Sequence, residues 1–113
     1  MINLDTKDLV MNFTPPDGIP PGEFLLEHVI KPLNLSIIEL AKALNIPANR
    51  LYLIINNRRE ITADTALRLG HYFHTGPELW LFVQMKYNLS QAQEKWGVDQ
   101  QYVEKLALEA SLV

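Results

Sequence analysis

The sequence predicts an all-α domain organised around two short helices within residues 36–57. Three features point to it. Apolar residues recur at intervals of three and four, the repeat of one face of a helix. Helix starts are marked by Ser36, by Thr62 and by the prolines Pro21, Pro47 and Pro77. Short breakers, Asn45-Ile46-Pro47 and Thr75-Gly76-Pro77, separate the periodic stretches. The sum is about five to seven helices in one domain.

Residues 1–19 hold Asn12, Thr14, Pro15, Pro16, Asp17 and Gly18 with no sustained period, and read as an N-terminal arm. Leu9, Val10 and Phe13 offer it a short apolar anchor. Pro21 opens the first helix, with Glu23 in its first turn and Leu25, Leu26, Val29 and Ile30 as its buried side. Pro32 and Asn34 end it. Ser36 and Glu39 have the spacing of a capping box, and Ile37, Leu40, Ala41 and Leu44 then fall on one apolar face. Pro47 stops that helix and starts the next, which buries Leu51, Ile54 and Ile55. Two helices joined by so short a turn form a helix-turn-helix.

Thr62 caps the following helix, Asp64 suits its dipole, and Ala66, Leu67, Leu69, Gly70 and Phe73 form its apolar side. From residue 79 to 89 the run LWLFVQMKYNL is apolar nearly all round, which predicts burial on more than one side. Gly97 is expected to separate two further helical pieces, QAQEKW and DQQYVEKLALEASLV. The second has an apolar stripe at Val103, Leu106, Ala107 and Ala110 that must be covered by its own domain or by another chain.

A chain of 113 residues can bury a real core without staples. It has no cysteine, which excludes disulfides and Cys-based zinc sites and is compatible with a reducing cytoplasm, the expected location. No apolar run approaches the roughly 18 residues of a membrane span, and no secretion signal is visible. Net charge is −3, but residues 36–75 carry five basic and three acidic side chains and are the only net-positive segment. Binding to nucleic acid by such a chain should weaken sharply with salt.

With Leu51, Ile54 and Ile55 inward, the second helix turns Asn49, Leu53 and Asn56 outward, with Arg50 and Tyr52 on the flanks. Asn pairs with adenine and Arg with guanine in a DNA major groove, and Arg58 and Arg59 beyond the helix suit phosphates. Helix-turn-helix pairs also occur in domains that bind no DNA, and spacing alone leaves both readings open.

Pro21-Gly22-Glu23, KPLNLS (31–36), LAKALNIP (40–47), Asn49-Arg50, Ile54-Ile55-Asn56, ITADTALRL (61–69) and PELWL (77–81) together resemble the HigA-type antitoxins. These plasmid-maintenance antidote proteins belong to the XRE-like (Cro/CI-type) helix-turn-helix family. The resemblance covers residues 20–89. It implies a lambda-repressor-like helix-turn-helix bundle over residues 20–89, with residues 90–113 as an added C-terminal helical extension. It also implies an antitoxin of a type II toxin–antitoxin system, which neutralises a partner mRNA-interferase toxin and represses its own operon as a homodimer on double-stranded operator DNA. Carried over by position, Ala48, Asn49, Arg50 and Tyr52 would touch bases, and Ser36, Arg58 and Arg59 would lie near phosphates. The sequence departs from the family at Pro20, usually His, and at Ile37, often Gln. Asn57 stands for the usual Gly, and Tyr52-Leu53 replaces a more polar pair. Ile37, Leu53 and the net acidity motivate one alternative, a toxin-binding module with weak or lost DNA recognition; another is a stand-alone XRE-type regulator with no toxin.

Other chemistry finds little support. His71 and His74 have a spacing compatible with sharing a metal but lack a third ligand nearby in sequence, so no metal and no cofactor are expected. No phosphate loop, nucleophile elbow or convergent catalytic group is present, and the chain is not expected to be an enzyme. Trp80, Phe82, Met85 and Tyr87 form either core or an exposed aromatic platform.

Overall fold

The computed structural model describes residues 18–104 and residue 106, and every regular element in them is helical. Helix α1 (Pro21–Leu25) runs on into a π-helical turn (Leu26–Ile30). Helices α2 (Ile37–Leu44) and α3 (Ala48–Ile55) form the central pair. Helix α4 spans Ala63–Phe73, and α5 spans Glu78–Asp99 before a 3-10 turn, Gln100–Tyr102.

The inner faces agree with their spacing. Leu40, Ala41 and Leu44 of α2, and Leu51, Ile54 and Ile55 of α3, are buried together with Leu25, Val29, Leu69 and Phe73. Trp80 belongs to this core rather than to a platform: it lies 5.7 Å from Phe24 and 5.9 Å from Phe73, ring to ring, and its indole N–H donates to Thr75 Oγ1 at 3.0 Å. It thereby joins α1, α4 and α5.

The helix starts follow the expected chemistry. Ser36 Oγ accepts from Glu39 N–H, and Thr62 Oγ1 accepts from Thr65 N–H, both at 3.3 Å. Asn45 closes α2 in a left-handed conformation (φ 55°), and Asn57 does the same beyond α3 (φ 59°). Asn57 does something glycine could not. Its Oδ1 accepts from Gly22 N–H at 3.0 Å, tying the start of α1 to the end of α3. Gly22 itself is obligatory there, because a Cβ would lie 2.1 Å from the Ile54 carbonyl oxygen.

Four expectations are corrected. The first helix is not α-helical throughout: Lys31 N–H donates to Leu26 O at 2.9 Å, a five-residue step, and this wider turn leaves both Val29 and Ile30 buried. Leu67 is not on the apolar side of α4 but 59% exposed. The 79–89 run is buried on one side only, through Trp80 and Val83 with the polar Gln84. Leu81, Phe82, Met85 and Leu89 face outward. Finally, Gly97 does not interrupt α5, which continues to Asp99. One exposed glycine costs a helix about 1 kcal/mol relative to alanine, too little to break it.

Helix α5 thus crosses residues 89 and 90 without a joint. What changes there is burial, since every residue from 91 to 104 is exposed. Of the stripe expected at 103–110, Val103 and Leu106 are exposed, and Ala107 and Ala110 lie outside the described residues, as do Leu9, Val10 and Phe13 of the arm.

Candidate nucleic-acid interface

Helix α3 is held from behind and open in front. Its inner side is nailed down by Leu51 and Ile54, both essentially without solvent contact. Its far end is locked by Arg58 N–H, which donates to Leu53 O at 2.8 Å, and by the Asn57–Gly22 bond. A helix so fixed presents its outer side chains on a rigid base.

On that outer side Asn49, Tyr52 and Asn56 are exposed, and Leu53 is half-buried. Ala48 is also half-buried and packs against the core. Arg50 does not stand free: its Nη1 lies 3.6 Å from Asp64 Oδ2 at the start of α4. Arg58 and Arg59 are exposed in the turn after α3, and among the described residues neither has an ion-pair partner. They border a shallow hollow shared with Pro21, Glu60, Gln84 and Tyr87. Ser36 sits at the tip of α2, exposed, its oxygen occupied as a helix cap. Ala48, Asn49, Arg50 and Tyr52 therefore share one short helix, with the two arginines following it in the chain, while Ser36 stands at the other end of the pair.

Two supporting residues were not legible as such. Gln84 is buried, its Oε1 accepting from Ile61 N–H at 2.8 Å and its Nε2 donating to Asn88 Oδ1 at 3.0 Å. It anchors the loop between α3 and α4. Arg68 donates through Nη1 to the Leu44 and Asn45 carbonyls at 3.1 and 3.2 Å, so a residue of α4 caps the end of α2. The Gln84–Ile61 bond and the Arg68 bonds to α2 join residues more than twenty apart, and no local pattern announces them.

His71 and His74 are both exposed on α4 and at its end, and among the described residues no three His, Cys, Asp or Glu side chains cluster as a metal site would require. No helix among them is long and apolar enough to cross a membrane.

A short helix pair with one face buried in the bundle and a polar, partly basic face left open defines a helix-turn-helix protein. The helix-turn-helix family model matches residues 26–80. Virulence-associated protein I of Dichelobacter nodosus is 46% identical over 77 residues, which cover 68% of this chain and 71% of that protein. Among solved structures, an addiction module antidote protein of the HigA family from Coxiella burnetii superposes with a TM-score of 0.74 at 42% identity, covering 80% of this chain and 100% of its own. The Pseudomonas aeruginosa antitoxin HigA, solved with the higBA promoter, gives 0.73 at 32% identity over 80% of this chain and 98% of its own. The chain belongs to the XRE-like helix-turn-helix family of HigA-type antidote proteins.

Proposed function

We propose that this chain is the antitoxin of a type II toxin–antitoxin pair, which neutralises an mRNA-interferase partner and represses its own operon as a homodimer on operator DNA in the cytoplasm. The observation that carries the DNA half is the outer face of α3. Asn49 and Tyr52 are exposed on a helix whose back is immobilised, with Arg50 at its first turn and Arg58 and Arg59 just beyond. In this reading Ala48, Asn49, Arg50 and Tyr52 meet base edges, and Ser36, Arg58 and Arg59 meet phosphates. The Pseudomonas aeruginosa antitoxin HigA, solved with the higBA promoter, supports DNA as a partner of this fold. Dimerisation uses the outward stripe of α5, where Leu81, Phe82, Met85, Leu89 and Trp96 are exposed at helical spacing. Membership of the antidote family supports the toxin half.

Gel shift with DNA from upstream of its own gene tests the first half. The expected result is a complex preferred over unrelated DNA and weakened by added salt. No binding at low salt, with toxin present, would overturn repression. Co-expression with any short basic reading frame found beside the gene tests the second half. Restored growth and co-purification are expected, and growth arrest despite abundant antitoxin would contradict it.

A second reading has its own observation. Half-buried Leu53 and Ile37 stand where a DNA reader would gain from polar groups, on a chain of net charge −3. Co-purification with toxin but no salt-sensitive DNA affinity would select a toxin-binding module without DNA recognition.

A further inference from the structure

Behind the first turn of α3 lies an ionic junction that carries an inference beyond this reading and rests on its DNA-binding half. Asp64 stands in the first turn of α4, just after the Thr62 cap. Its Oδ2 receives Arg68 Nε at 3.0 Å from one turn further along α4 and faces Arg50 Nη1 of α3 at 3.6 Å. Arg68 then reaches past Asp64 to the carbonyls of Leu44 and Asn45. One carboxylate and one guanidinium thus connect the end of α2, the start of α3 and the start of α4, the three points that fix how the helix pair is angled.

We propose that Asp64 is a positioning residue for operator recognition. It confines the Arg50 guanidinium, and through Arg68 it steadies the turn between α2 and α3. An arginine fork is specific only when its plane is fixed, and a carboxylate on one edge leaves the other donors free to meet a guanine. Ordering a rotamer-rich side chain before binding lowers the entropy lost on the DNA.

The sign of one substitution separates this role from bulk electrostatics. Asp64 is acidic and 59% of its side chain is exposed beside the helix that would face DNA. As a mere charge it repels phosphates, so Asp64→Asn should tighten binding to every duplex. As a positioning residue its loss should weaken binding to the operator alone.

The test compares wild type, Asp64→Asn, Asp64→Glu and Arg50→Ala with the Arg50→Ala/Asp64→Asn double variant. Each is titrated with the duplex from upstream of its own gene and with an unrelated duplex of equal length. Circular dichroism melts establish that each variant folds. Asp64→Asn is expected to bind the upstream duplex about tenfold more weakly while its affinity for unrelated DNA is unchanged or higher. Asp64→Glu should recover most of the loss. In the Arg50→Ala background Asp64→Asn should cost clearly less than it does in wild type, the remainder being the part that runs through Arg68; a full tenfold loss in that background would overturn the coupling to Arg50. Upstream binding by Asp64→Asn equal to or tighter than wild type overturns the inference and leaves the DNA reading intact. A wild type that does not prefer the upstream duplex overturns the DNA reading, and this inference with it.

Discussion

The helix pair with α4, and the long helix α5, use their apolar residues differently. In α2 and α3 the residues at helical spacing are the buried ones, and the polar residues between them face out. In α5 the pattern reads as buried all round, yet only one side packs, and a glutamine takes a place in that side while six large apolar residues stay in solvent. Periodicity states which faces are apolar. It does not state which are covered. A helix with a second, uncovered apolar stripe serves its own domain with one side and offers the other to something else.

The largest expected effect breaks the first region. Leu51→Ala removes a side chain with no solvent contact, and should cost ~2–5 kcal/mol in denaturant unfolding. A loss under about 1 kcal/mol would mean that α3 is not pinned as described. Gln84→Leu tests whether the polar residue in the α5 core is needed. Leaving the Ile61 N–H buried without an acceptor should cost ~1–3 kcal/mol, and unchanged stability would show that another group replaces it. Smaller again, Thr62→Ala should cost ~1 kcal/mol through the lost cap at α4, read from the shift in denaturation midpoint. Least of all, Leu89→Ser on the outward stripe should change the stability of the dilute monomer by no more than ~0.5 kcal/mol. The same substitution should shift sedimentation from dimer to monomer; a dimer that survives it is not built on that stripe.

Local rules carried the helix starts because a cap is written within three residues, as at Ser36 and Thr62. Gly97 does not break α5, because one weak helix former is too little when the turns on either side propagate through it. The π-helical turn was not legible, since widening one turn depends on what α1 packs against. At the candidate interface the outward residues of α3 could be read from geometry alone. The Asp64–Arg68 junction could not: its partners come from α2 and α3, and Asp64 had an adequate local explanation as a first-turn acid.

The proposal that the outer face of α3 reads DNA stands or falls on a nuclease footprint of the region upstream of the gene. Wild type should protect two related half-sites about one helical turn apart, or a multiple of it. Asn49→Ala should lose that protection with a weakening of ~1–3 kcal/mol at unchanged fold stability. Protection that is absent at low salt, or that Asn49→Ala and its neighbours on α3 leave untouched, would contradict the claim.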